Sequence, residues 1–151
     1  MIQIKANQII TRDLQRAAPY LHRLISEAAL LFDRDREVIQ LHLGGTPNFM
    51  DTEKIATLVD SLAQNFHFSS ARNRDFSIEL DPRSVKPGDI AELARIGFNR
   101  ASLDVQDFDP VVQTAVNRIQ TVAETLAVIQ ACRDAHFRSV NVDLTHQSAH
   151  G

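Results

Sequence analysis

Residues 38–49 read VIQLHLGGTPNF, from Val38 to Phe49. The run Val38-Ile39-Gln40-Leu41-His42-Leu43 is short, apolar and β-favouring, and Gly44-Gly45-Thr46-Pro47 stops it. A buried parallel strand that turns sharply at its carboxyl end has this form. Glycine has no Cβ, so the paired glycines let a ligand approach the backbone closely. Pro47 holds Thr46 extended, which stiffens the loop. Three later segments repeat the design, each an apolar run with polar residues at its end: FSIELDP (76–82), ASLDVQDF (101–108) and VNVDL (140–144).

Helical periodicity fills the gaps between these runs. Leu21, Leu24, Ile25, Ala28, Leu31 and Phe32 share one face of a helix over 18–32, with Pro19 in its first turn. Asp33-Arg34-Asp35-Arg36-Glu37 reads as a solvated loop. Asp51 or Thr52 caps a helix that carries Ile55, Leu58, Val59, Leu62 and Phe66 inward. Pro87 opens a short helix with Ile90, Leu93 and Ala94 inward, and Gly97 suits a left-handed cap. Asp109-Pro110 starts a brief helix to about Val116, and Thr121 with Glu124 makes a capping box for a helix bearing Leu126, Ile129 and Cys132. Strands alternating with helices at this spacing predict an α/β fold of parallel βα units, with about four strands. Residues 1–12 read as a lead-in without clear period, and 145–151 as a polar tail.

Composition narrows the function classes. The 151 residues are 44% hydrophobic with a formal net charge of −3, enough for one domain with a core. Mild acidity without a basic cluster argues against a nucleic-acid surface. No run approaches the roughly 18 apolar residues of a membrane span, and no basic-then-apolar leader is visible. The single cysteine fits a reducing cytoplasm and excludes an internal disulfide or a multi-cysteine metal site. His146 and His150 are spaced to share a helix face, but they lack a third metal ligand. His42 reads as a packed strand residue, and His22, His67 and His136 as surface positions.

In parallel α/β folds ligands sit at the carboxyl ends of the strands. The polar residues there are Gly44-Gly45-Thr46, Glu79 with Asp81, Gln106 with Asp107, and Asp143; Arg118, in a VNRIQ loop, is the nearby cation. Carboxylates accept from hydroxyls and ammonium groups, and arginine forks onto a carboxylate. This set therefore suits a ligand with ribose hydroxyls, an ammonium and a carboxylate. Asp81, Asp107 and Asp109 equally suit turn and helix caps.

IELDPR (78–83), GFNRASLDVQDFDPVVQTAVNRIQ (97–120) and FRSVNVDL (137–144) resemble the radical S-adenosylmethionine (SAM) core of oxygen-independent coproporphyrinogen III oxidase. The combination of GFNR, VQDF and VNRIQ carries the resemblance, which spans about Asn7 to Leu144. It implies an incomplete (βα) barrel with helices outside. It implies that Gly44, Gly45 and Thr46 receive the amino group of S-adenosylmethionine. Glu79, Gln106 and Asp143 would meet its polar and ribose groups, and Arg118 its carboxylate. The family's reaction is oxidative decarboxylation of two propionates of coproporphyrinogen III in haem biosynthesis, using a radical formed by a [4Fe–4S] cluster.

Several residues depart from the family pattern. The CxxxCxxC loop that holds the cluster is absent, and Cys132 reads as a core residue on a helix. The glycine loop has two glycines after Leu43 where the family has three after a tryptophan, and Asp104 stands at a family glycine. The resemblance thus implies an internal, truncated portion of the enzyme, inactive alone, with S-adenosylmethionine as its small-molecule cofactor and a porphyrinogen as substrate. The alternative is a non-catalytic vestigial or interaction fragment. An incomplete barrel leaves open sheet edges, which predicts self-association.

Overall fold

The computed structural model describes residues 2–5, 22–23, 25–26, 30, 33–44, 51–70, 73–107 and 115–146. In chain order they form β1 (Ile2–Lys5), β2 (Asp33–Val38), β3 (Gln40–Gly44), α1 (Thr52–Asn65), β4 (Phe66–Phe68), β5 (Asp75–Leu80), α2 (Pro87–Ile96), β6 (Arg100–Asp107), α3 (Ala115–Asp134) and β7 (Ser139–His146). Five strands make one sheet in the order β1-β3-β5-β6-β7, with every neighbouring pair parallel. The four predicted runs are adjacent in that sheet. Among the described residues the sheet does not close; it is an open, barrel-like α/β arrangement edged by β1 and β7.

The strands alternate as a half-buried sheet should. Leu41 and Leu43 of β3, Phe76, Ile78 and Leu80 of β5, and Ala101 and Leu103 of β6 are buried on one face. They meet Ile55, Leu58, Val59 and Leu62 of α1, Ile90 and Leu93 of α2, and Val128 and Cys132 of α3 in a single core. Burying each large aliphatic or aromatic side chain there contributes about 1.5–3 kcal/mol. The intervening strand residues turn to the opposite face, which no helix among the described residues covers.

Helix ends follow their sequence signals. Asp51 caps α1, its side chain accepting from the backbone N–H of Lys54 at 2.9 Å. The Lys54 ammonium, which donates to the other carboxylate oxygen at 2.9 Å, and then that backbone bond lower the Asp51 pKa below its usual 3.8. Pro87 opens α2. At the end of α2 the N–H of Phe98 reaches Leu93 O and that of Gly97 reaches Ala94 O, with Gly97 at φ 128°. The end of α3 repeats this: Phe137 N–H to Cys132 O, His136 N–H to Arg133 O, and His136 at φ 63°. Both are Schellman closures, and each leads within three residues into the next strand.

Several boundaries differ from the sequence reading. Ile2–Lys5, within the expected lead-in, pairs with β3. The charged segment 33–37 is not a loop; it forms most of β2, which pairs with β4 in a separate two-stranded sheet whose register breaks between Asp33 and Glu37. A short, charged strand on a sheet edge can satisfy its backbone without a buried face. Val38 ends β2, and β3 begins at Gln40, so the chain changes sheets across Ile39. Phe66 caps α1 in extended form and starts β4 instead of continuing the helix face. Thr121 and Glu124 lie inside α3, not at its start, because no proline or glycine interrupts 115–134. Leu126 is 60% exposed on that helix, while Val128 takes the inward place. Thr145 and His146 extend β7, so His146 belongs to a strand and not to a helical metal pair. His22, Arg23, Ile25, Ser26 and Leu30 of the first predicted helix are helical; the rest of it, the helix start at 109–114 and His150 lie outside the described residues.

Candidate functional site

Period-two alternation puts the core on one sheet face and a polar surface on the other. On the polar side β3 offers His42 and Gly44, β5 offers Ser77 and Glu79, β6 offers Ser102 and Asp104, and β7 offers Asn141 and Asp143. Register aligns them in rows: His42 opposite Ser77, Glu79 opposite Ser102, Ser102 opposite Asn141, and Asp104 opposite Asp143. The rows climb toward the carboxyl ends of the strands, where parallel folds bind ligands.

Gly44 is buried at the end of β3. A Cβ there would lie 3.1 Å from His42 Nε2 and 3.3 Å from Glu79 Oε2. The bare Cα therefore leaves a small space bordered by an imidazole and a carboxylate. His42 Nδ1 is 2.7 Å from Ser77 Oγ, which fixes the ring plane. Farther along the face Ser102 Oγ donates to Asp143 Oδ2 at 3.3 Å. Asp143 is exposed, and Asp104 stands beside it in register. Like charges directly opposite on neighbouring strands repel, so this end of the face favours hydrogen-bond donors and cations.

The predicted residues fare differently. Gly44, Glu79 and Asp143 come together on one face. Gln106 continues the even-numbered series of β6, opposite Thr145. Arg118 is not in a loop; it occupies the opening turn of α3. Gly45 and Thr46 lie outside the described residues. Asp81 serves the turn it was offered for, accepting from Arg83 N–H at 2.9 Å and from the Arg83 guanidinium at 3.0 Å. The sequence reading missed Ser77 and Ser102 and took His42 for a packed residue; the signal was available, since His42 stands two residues before Gly44 and so shares its face.

Cys132 is fully buried against the sheet, and burial pushes its thiol up to about 11. An iron–sulfur cluster takes several thiolates. The cysteine content of this chain, one buried thiol, does not fit such a cluster. Among the described residues no group of three or more histidine, cysteine or acidic side chains is arranged to hold a metal ion, and no helix is long and apolar enough to cross a membrane.

Comparison with known proteins agrees with this architecture. The oxygen-independent coproporphyrinogen III oxidase of Pseudomonas aeruginosa is 41% identical over 144 residues, covering 93% of this chain and 31% of the relative. That of Synechocystis is 41% identical over 148 residues, 95% of this chain and 31% of the relative. The solved structure of coproporphyrinogen III oxidase (HemN) from Escherichia coli, a radical SAM enzyme, superposes with a TM-score of 0.76 at 36% identity, over 94% of this chain and 35% of that one. The chain thus spans about a third of the length of these relatives. Residues 15–146 match the Radical SAM superfamily, and with a parallel sheet whose strand ends carry the polar face, the chain belongs to that superfamily.

Proposed function

We propose that the chain is a S-adenosylmethionine-binding core of the coproporphyrinogen III oxidase type, one partial domain over 1–151, with no cluster on its own cysteines. The observation that carries this reading is the placement of Gly44, Glu79 and Asp143 on one polar sheet face, in the carboxyl halves of β3, β5 and β7. In this reading the backbone of Gly44, Gly45 and Thr46 takes the amino group of the cofactor. Glu79, Gln106 and Asp143 take its ribose and other polar groups, and Arg118 its carboxylate. When bound, the cofactor supplies a polar ligand that fills this face. By similarity to the relatives, the pathway is haem biosynthesis, the substrate a porphyrinogen and the compartment the cytosol.

Each charge-assisted contact contributes about 1.5–3 kcal/mol when the site is preorganised. Asp104 beside Asp143 and the shortened glycine loop reduce that preorganisation, so binding is weak. Calorimetric titration with S-adenosylmethionine tests the assignment: Arg118→Ala and Asp143→Asn each weaken it roughly tenfold or more, as expected for one charged contact. Tight wild-type binding, or binding indifferent to both changes, refutes it.

A second reading, a non-catalytic fragment without cofactor, draws support from the burial of Cys132, the one thiol. Iron and sulfide analysis after anaerobic reconstitution separates the two questions. About four irons per chain would overturn the cluster-free assignment.

A further inference from the structure

We propose that β7 and the flank of α3 above it form a twofold interface with a second copy of this chain, in which the two β7 strands run antiparallel about Val142 and the two α3 helices meet through Val122 and Leu126. Among the described residues β7 edges the five-stranded sheet, and with 8 residues it is longer than the other edge strand, β1, with 4. Edge strands are commonly guarded by lysine, proline or shortness. SVNVDLTH contains neither lysine nor proline. The core cover also stops short of it: Leu103 is fully buried, whereas Val142, its register neighbour on the same face, is 42% exposed. α3 carries an apolar stripe beside this gap. Val128 and Cys132 turn into the core, while Val122 and Leu126, 58% and 60% exposed, and the partly buried Ile129 lie roughly a quarter-turn or more round the helix. In a right-handed crossover from β6 to β7 that flank overlooks the free side of β7, and the opposite flank meets α2.

The occupant is a second copy because β7 is complementary to itself. In a twofold interface the same patch serves both copies, so two edge strands pair antiparallel about an axis normal to the sheet. Both α3 helices then lie on one side, flank against flank, and the strand edge and the helix stripe are covered together. Opposite residues of an antiparallel pair share a face, so the axis passes between two copies of one residue. Centred on Val142, the pairing joins Ser139 through Thr145 of each strand. It sets apolar residues opposite apolar ones, Val142 on Val142 and Val140 on Leu144. On the polar face it sets the second copy's Asn141 opposite Asp143. An amide donates to a carboxylate, and a carboxylate that already takes Ser102 Oγ accepts further donors. Centring on Asp143 instead would put two carboxylates directly opposite, which repels. Centring on Asn141 would pair only Ser139 through Asp143. The favoured register therefore also brings a donor from the second copy to the rim of the candidate site. None of this depends on the S-adenosylmethionine reading.

Sedimentation equilibrium of the full chain, joined to cysteine cross-linking, tests the interface and its register. The expected mass rises with concentration from one chain to twice 16.9 kDa and goes no higher. Leu126→Lys, at an exposed helix position, and Val142→Lys, which sets two ammonium groups face to face at the axis, each weaken the dimer roughly tenfold or more. Val142→Cys stands opposite itself within disulfide reach and gives a covalent dimer under mild oxidation. Ser139→Cys stands opposite Thr145, far from its own copy, and does not. The wild-type chain, whose one cysteine is buried, is the control. A mass of one chain at every concentration overturns the inference. So does a dimer indifferent to both lysine variants, or one that cross-links through Ser139→Cys and not through Val142→Cys. An open-ended series of larger species overturns it too, because a head-to-tail contact of β1 with β7 does not close.

Discussion

Replacing Asn99 should destabilise the sheet. Its side chain accepts from the Phe76 N–H at 2.9 Å and donates to the Arg74 carbonyl at 2.8 Å. Its own N–H donates to Phe76 O at 2.9 Å, and its carbonyl accepts from Arg138 N–H at 2.7 Å. One residue thus ties the starts of β5, β6 and β7 together. Asn99→Ala removes both side-chain bonds and strands the Phe76 N–H behind a residue only 2% exposed. An orphaned buried donor costs about 1–3 kcal/mol, and the rehydratable Arg74 carbonyl adds about 0.5–1.5. The sum is about 1.5–4.5 kcal/mol, a fall of roughly 3–18 °C in Tm for a chain of this size. Asn99→Asp keeps the acceptor for Phe76 but sets an oxygen against the Arg74 carbonyl, so it falls between wild type and Asn99→Ala. Urea unfolding measures the loss, and hydrogen exchange at the Phe76 amide locates it. An unchanged urea midpoint in Asn99→Ala, or unchanged protection at Phe76, refutes the assignment.

Other outcomes follow from the same geometry. His136→Gly should stabilise the chain by about 0.5–1 kcal/mol, because φ 63° is a left-handed position that glycine takes without a Cβ clash; thermal melts check it, and a lower Tm would refute the Schellman assignment. Cys132 has its thiol raised from 9.0 to about 11 in the folded chain. The unfolded thiol therefore ionises first, the folded state holds the extra proton, and stability falls as pH rises from about 9 toward 11, by up to about 2–3 kcal/mol. Urea midpoints of wild type and Cys132→Ala across that range should converge; parallel curves would show that the buried thiol is not the cause. The open edges at β1 and β7, with Val142 of β7 42% exposed, predict concentration-dependent self-association. Sizing chromatography that gives one sharp monomeric peak at all concentrations would count against it.

The sheet was legible because four apolar runs ended in polar residues at regular spacing, and parallel neighbours with helices between them follow from that. β1 and β2 were not. Ile2–Lys5 is too short to show a period, and β2 is charged along most of its length, so neither carries the hydrophobic signal on which such reading depends. The continuous α3 was hidden by Thr121 and Glu124, which fit a capping box locally; no breaker enforces a start there, and the helix runs through. Gly44 and Glu79 were legible as polar residues near strand ends; Asp143 was expected at one too, but β7 runs three residues past it to His146. Ser77 and Ser102 were not, since a serine in a strand carries no chemistry until a neighbour in register gives it a partner. GFNR, quoted as a marker of resemblance, turns out to be structural: Gly97 closes α2, Phe98 is buried, Asn99 ties three strands and Arg100 meets Asp75.

The order of strands in the sheet also bears on how the chain assembles during synthesis. From β3 onward each strand lies beside the one made just before it in the same sheet, one helix away. A nascent chain emerging at about 5–20 residues per second can therefore add each βα unit to a template already in place, without waiting for a distant partner. The loops to be closed are short for a parallel sheet, which lowers the entropic barrier to each pairing. The growing edge passes from β3 to β5, β6 and β7 in turn, so the most recently made strand always forms that edge. A pause in translation after any one of these units would leave a shorter sheet of the same form.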